Sequence, residues 1–298
     1  SLNASFALDF QTSSVSSHSV QLPRIGYNYL INTTAAFDST LQKNRAIALS
    51  FRNQLIPVLG YTYRFNQEFG REKRNHILWQ TSFSTAGNLL SCIVPGNAGD
   101  KKFLGIPFSQ FAKATTDFRY YRRFWRSTWL ATRFQTGVGW AYGNSTVLPY
   151  SEQFYIGGAS SIRAFTIRTV GPGRYTPPDG TTDAYLDQTG SFKLEANVEL
   201  RFPILGNLQG AAFLDAGNIW LLKADENRPG GTLDLRNFGK DIALGTGVGI
   251  RYDITFLILR FDMGIGLHAP YNNDHPHYYN MDSFGKSLAF HLAIGYPF

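Results

Sequence analysis

Residues 191–202 read SFKLEANVELRF. Phe192, Leu194, Ala196, Val198, Leu200 and Phe202 fall on one face of an extended chain, and Lys193, Glu195, Asn197, Glu199 and Arg201 on the other. Apolar and polar residues recur with period 2, which predicts a β-strand with one wholly uncharged face. The stretch is also long. A tilted strand needs about 9–11 residues to cross a bilayer, whereas strands of soluble sheets most often have about 5–6.

The pattern continues outward from this stretch. Ile242, Leu244, Val248, Ile250, Tyr252 and Ile254 oppose Asp241, three glycines, Arg251 and Asp253. Leu257, Leu259, Phe261, Met263, Ile265 and Leu267 oppose Ile258, Arg260, Asp262, two glycines and His268. Leu130, Phe134, Val138, Trp140 and Tyr142 share a face within 128–142. Twelve candidate strands emerge, at 3–10, 20–31, 43–52, 55–66, 75–90, 111–124, 127–143, 190–204, 208–222, 239–254, 256–268 and 287–298. Short links near 124–127, 205–207 and 254–256 alternate with long polar ones at 91–110, 144–189, 223–238 and 269–286. Outer-membrane barrels show this alternation, with tight periplasmic turns and long external loops. The expected fold is all-β: a transmembrane antiparallel β-barrel domain over 1–298, with about 12 strands, in a bacterial outer membrane.

Composition agrees. Charged residues make up 16% of the 298, against roughly 25% in soluble domains. Aromatics reach 15%, with 24 Phe and 16 Tyr. Mean hydropathy is nevertheless −0.19, and no run of about 18 apolar residues could span a bilayer as a helix. Barrel strands reconcile these facts, because lipid-facing and lumen-facing residues average out. Cys92 is the only cysteine, so no intrachain disulfide can form. The net charge of +7 suits an acidic surface, including anionic membrane lipid or lipopolysaccharide. Ser1 opens inside a strand-like pattern without a signal peptide, which reads as a mature or truncated product.

The longest link, 144–189, contains QFYIGGASSIRAF at 153–165. Gly157 and Gly158 suit a tight turn, and the neighbouring aromatics suit packing against a lumen wall. A loop folded into the barrel would bury Arg163, which would then need carboxylate partners. Glu199 and Asp215 lie on polar faces of the next two strands, so an Arg163 fork to these acids is expected to anchor the loop.

These residues resemble the BamA/TamA superfamily of outer-membrane assembly and translocation barrels, the bacterial surface antigens. That family carries a Val-Arg-Gly-Phe or Val-Arg-Gly-Tyr tetrad after Phe-x-x-Gly-Gly. The corresponding positions are Phe154, Gly157, Gly158, then Ile162, Arg163, Ala164 and Phe165. Gly171 and Pro172 match the family's following Gly-Pro, Glu199 to Pro203 its Glu-Leu-Arg-Phe-Pro, and Phe213, Asp215 and Gly217 its Phe-x-Asp-x-Gly. HLAIGYPF at 291–298 resembles the terminal β-signal, with His291, Tyr296 and Phe298 at its marked positions. Ala164 and Ala293 stand where the family has glycine.

The resemblance implies the C-terminal part of a 16-strand barrel, with 144–189 as a lumen-plugging loop and 287–298 as the β-signal strand. It implies that periplasmic POTRA domains and the first strands are absent from this stretch. It further implies insertion of unfolded outer-membrane protein clients by lateral opening, with accessory subunits and neither enzyme activity nor a cofactor. The alternatives are a two-partner-secretion transporter of the same superfamily, an outer-membrane lipase barrel, and a passive pore.

Other constellations are weaker. Asp274, His275 and His277 fit a polar loop better than a metal site, which needs further ligands. GTGVG at 245–249 sits in an alternating strand, with no helix after it to make a nucleotide loop. RYYRRFWR at 119–126 mixes arginines with aromatics, as some nucleic-acid sites do. It ends a strand beside a tight turn and fits an interfacial girdle, so no nucleic-acid partner is expected.

Overall fold

The computed structural model describes residues 2–28, 33–43, 48, 51–67, 74–125, 127–178, 184–271, 280–281 and 283–298. Its main body is one antiparallel sheet in which each long strand pairs with the next in sequence. The strands are β1 (Leu2–Ser13), β2 (Ser16–Asn28), β3 (Gln54–Asn66) and β4 (Asn75–Ala86), followed by β7 (Phe111–Trp125) and β8 (Thr128–Ala141). Then come β9 (Phe192–Leu205), β10 (Leu208–Trp220), β11 (Ala243–Asp253), β12 (Ile258–His268) and β13 (Leu288–Ile294). Two-residue strands β5 (Lys102–Phe103) and β6 (Ile106–Pro107) make a separate hairpin in the link between β4 and β7. The short connections gather at one rim of the sheet and the long ones at the other.

β9 shows why the sheet is a membrane wall. Its buried residues are Glu195, Asn197, Glu199 and Arg201, while Val198, Leu200 and Phe202 are 42%, 39% and 37% exposed. A soluble sheet has the reverse arrangement. The same inversion holds in β11 and β12, where Arg251, Arg260 and Asp262 are buried and Val248, Ile250, Leu259 and Phe261 are exposed. Exposed apolar side chains in every strand face lipid, and the polar faces line the interior.

The described residues of the 144–189 link, 144–178 and 184–189, touch the sheet at both ends. Glu152 accepts from Arg24 of β2 at 2.5 Å and from Lys113 of β7 at 3.1 Å. The Ala159 carbonyl accepts from Arg260 of β12 at 2.7 Å. One loop can reach β2, β7 and β12 together only if the sheet curls around it.

Two sequence expectations need correction. Residues 43–52 are not a strand where described: helix α1 covers Ala35–Lys43, and Ala48 and Phe51 are helical as well. Thr34 Oγ1 accepts the Phe37 N–H at 3.2 Å, an N-cap. The alternation at 46–49 is too short to separate period 2 from period 3.6. The second correction concerns 287–298. The strand ends at Ile294, and Gly295, with φ of 83°, turns the chain away from the sheet. Phe290, Leu292 and Ile294 face outward, whereas Phe298 is buried.

Candidate functional site

The loop base is fixed first. Phe154 and Gly190 exchange backbone hydrogen bonds of 2.8 and 2.9 Å, closing the segment into a neck. Beyond it, Gly157 and Gly158 have φ of 97° and 91°, a region that costs other residues strain. A Cβ at Gly157 would strike the Thr166 carbonyl. The turn is closed by Gly158 N–H donating to the Phe165 carbonyl at 2.8 Å and by Gly157 N–H donating to Ser161 Oγ at 3.1 Å. Ile156, Ile162, Ala164, Phe165 and Val170 pack on Ile219, Ala243 and Ala269 of the wall side. This apolar packing brings the loop down onto β10 and β11 and leaves Arg163 with no access to water.

Arg163 makes a planar fork onto Asp215. Nε donates to Oδ2 at 2.8 Å and Nη2 to Oδ1 at 2.9 Å, and the Arg163 backbone N–H reaches Oδ2 at 3.1 Å. Nη1 donates to Glu199 Oε2. The guanidinium lies 3.5 Å over the Phe213 ring, a cation–π contact in a desolvated place. Burial alone would depress the Arg163 pKa; Asp215 and Glu199 overcome that and raise it, so the group stays charged.

The pairs continue along the wall. Glu199 also accepts from Arg201 Nε at 2.7 Å and from Arg251 Nη2 at 3.1 Å. Arg251 Nη1 lies 2.5 Å from Asp262 Oδ1, and Arg260 Nη1 lies 3.0 Å from Asp262 Oδ2. Since Arg260 returns to the loop at Ala159, the chain of charges is a closed circuit through β9, β11 and β12. Four guanidiniums face three carboxylates, and each carboxylate is shared or chelated, which offsets the desolvation of burying them.

The sequence pattern singled out Arg163, Glu199 and Asp215, and the structure brings them together. Arg201, Arg251, Arg260 and Asp262 complete the cluster without having been marked as site residues. Their signal was present: a charged side chain on the inward face of a membrane strand requires a partner. Ala164, where the resembling family has glycine, is accommodated by the wall. A Cβ added at Gly245 would meet the Ala164 Cβ, and one at Gly264 would meet the Arg163 carbonyl. Of the terminal residues, His291 Nε2 lies 2.9 Å from the Arg163 carbonyl oxygen. Tyr296 and Phe298 lie 4.1 and 5.7 Å from the Arg201 guanidinium, whose Nη2 donates to the Phe298 carbonyl at 3.2 Å. Arg228, in the link between β10 and β11, is buried and bonded to Asp225 at 2.8 Å. Among the described residues no group of His, Cys, Asp and Glu could hold a metal; Asp274, His275 and His277 lie outside the described residues.

No side chain in this cluster is a free nucleophile or a poised acid. The arrangement ties the loop to β9, β10 and β12 through Arg163, Ala159 and their partners, and to the last strand through His291.

Comparison with known proteins gives the family. Over 169 residues, 54% of this chain and 19% of the relative, the sequence is 26% identical to outer membrane protein assembly factor BamA of Neisseria meningitidis serogroup B. The fold resembles BamA from Haemophilus ducreyi lacking POTRA domains 1–3, with a TM-score of 0.62 and 16% identity, over 89% of this chain and 50% of that one. It also resembles CdiB from Escherichia coli, with a TM-score of 0.54 and 16% identity, over 97% and 43% of the respective chains. The chain thus spans half or less of the length of each. All of residues 1–298 match the Omp85 superfamily domain, and the chain belongs to that superfamily of outer-membrane β-barrel proteins.

Proposed function

We propose that the chain acts as the membrane part of an outer-membrane protein assembly factor of the BamA/TamA kind, with the 144–189 loop as an internal brace and the β13 edge as the place where a client strand pairs. The observation that carries this reading is the last strand. β13 has 7 residues where β9 to β12 have 14, 13, 11 and 11. The Gly295 N–H still donates to the Ile258 carbonyl at 2.8 Å, and with φ of 83° there the chain leaves the ladder after it. A short edge strand whose continuation has turned inward leaves backbone groups for an incoming strand, so insertion needs strand addition and no covalent chemistry. The partners implied are unfolded outer-membrane clients, membrane lipid and accessory subunits. The relationship to a relative named an assembly factor supports this.

A second reading, passage of an unfolded protein through the lumen, draws on the likeness to CdiB over 97% of the chain. It requires the loop to leave the lumen. One experiment separates the two. Asn197 Nδ2 donates to the Ser161 carbonyl at 3.0 Å, so Ser161→Cys with Asn197→Cys, in a Cys92→Ser background, can be bridged by a short thiol cross-linker. In vesicles the bridged protein should still accelerate folding of a urea-denatured barrel client, read by protease protection. Loss of that activity on bridging, restored by cleaving a reducible linker, overturns the assembly reading in favour of lumenal passage.

A further inference from the structure

The link between β4 and β7 carries a feature that neither the interior site nor strand addition uses. Helix α2 (Asn88–Ile93) and the β5–β6 hairpin sit at the long-loop rim, outside the wall. Ile56, Val58 and Ala86 point inward, in the cluster that packs on Leu148 of the lumen loop. Leu55, Pro57 and Leu59 alternate with them, and Ile25 pairs with Pro57, so these four face outward. Between this outer face of β2–β3 and the α2–hairpin unit lies an apolar groove of about 450 Å³, to which Leu90, Phe103, Leu104 and Ile106 also contribute.

The unit above the groove is firmly built. Lys101 Nζ donates to the Ser91 carbonyl at 2.5 Å, tying the hairpin to α2. Asn144 accepts from the Lys101 N–H at 2.9 Å and donates to the Phe108 carbonyl at 2.8 Å. Yet its surface is wrong for water. Ile93 is 74% and Leu104 85% exposed, and Leu89 and Phe103 are exposed beside them. Leu104 occupies the hairpin tip with φ of 50° and Gly105 follows with φ of 80°. Two-residue hairpins with both φ positive favour Asn-Gly or Asp-Gly. A leucine there is strained by its backbone and, in water, unfavourable by its side chain. Both penalties have a rationale if the tip lies in hydrocarbon.

We propose that this groove seats an acyl chain of a membrane lipid, with α2 and the hairpin folded over it as a clamp. The groove is continuous with the lipid-facing wall through Leu59 and Ile25, so acyl chains are already its neighbours. Lys102, exposed at the start of the hairpin, is placed for an anionic headgroup.

Cys92, the only cysteine, is exposed on α2 and can carry a fluorophore without any substitution. In vesicles of phosphatidylethanolamine and phosphatidylglycerol, a nitroxide on a lipid acyl chain should quench this label about fivefold more strongly than a water-soluble nitroxide. Leu59→Trp fills the groove floor and should lower acyl-chain quenching about twofold, while Ile250→Trp, on the wall away from the groove, should not. Ile25→Trp, at an already exposed position, repeats the test if Leu59→Trp fails to fold. Stronger quenching from water overturns the proposal. So does acyl-chain quenching that neither groove variant changes, since the clamp would then only float at the interface.

Discussion

The His291 ring holds the Arg163 backbone. Its Nε2 lies 2.9 Å from the Arg163 carbonyl oxygen, so the imidazole donates from that nitrogen and the last strand grips the loop at its central residue. The bond joins positions 128 apart in sequence and couples the β13 edge to the lumen brace. His291→Ala should therefore loosen both. A loss of about 1 kcal/mol in stability is expected for one hydrogen bond, with faster hydrogen exchange in β13 and in 157–168 together. Exchange that rises in β13 alone would show that the contact carries no coupling.

Arg163→Ala should cost about 3–5 kcal/mol, because it leaves Asp215 buried without its counter-ion. Asp215→Asn added to Arg163→Ala should recover a part of that loss, since it removes the orphaned charge. Arg163→Lys should recover less than half, because an ammonium cannot make the fork to Oδ1 and Oδ2. Unfolding midpoints in urea, compared with the exposed-loop control Arg236→Ala, measure each. Equal effects at Arg163 and Arg236 would remove the anchor from the account.

Gly264→Val should displace the loop without touching a charged group. The added Cβ would meet the Arg163 carbonyl and the Ala164 Cα, both backbone atoms that cannot swing aside. Overpacking of this kind costs about 1–3 kcal/mol, and the loop rather than the wall should yield. Limited proteolysis should then cut within 153–170, and single-channel conductance in planar bilayers should rise. An uncut loop with unchanged conductance would show that the wall had moved instead.

Tyr175, buried in the link between β8 and β9, gives a pH prediction. Burial, with the Asp187 carboxylate beside it, pushes its phenol up from 10 to about 12, and the neutral hydroxyl donates to Asp187 Oδ2 at 3.2 Å. The folded pKa is raised, so the contribution to stability is full below the ordinary phenol value. It is lost as pH rises toward about 12. Unfolding midpoints of the parent should fall across that alkaline window more steeply than those of Tyr175→Phe. Parallel curves would mean that Tyr175 titrates normally.

The wall was legible in the sequence because alternation along β9, β11 and β12 is long enough to fix both period and face. The contact of Arg163 with Glu199 and Asp215 was legible because each of the three stands in a recognisable local pattern. The rest depended on information that no single stretch contains. Whether Phe298 meets lipid or the interior turns on the φ of Gly295 and on the Arg201 cation waiting across the lumen, 97 positions away. The α1 segment misled because its decisive signal, the Thr34 cap, lies upstream of the alternating residues. The outer groove was invisible for a similar reason: Leu59 and Leu104 become neighbours only when the link between β4 and β7 folds outward at Gly87, whose φ is 72°.

The placement of Asp215 and Glu199 also has a consequence for the order in which the chain assembles. Arg163 lies 36 and 52 positions from its acids, which stand on the hairpin that directly follows the loop. A nascent β9–β10 hairpin can capture the loop before β11, β12 and β13 exist. Closing such short spans is entropically cheaper than reaching distant strands. The later strands would then be laid down around a seated plug, Arg251 and Arg260 adding their charges in turn and His291 arriving last. Threading a free loop into a finished cylinder is never required. A chain truncated after Trp220 should therefore already protect 153–165 from protease in detergent, well before any barrel can close.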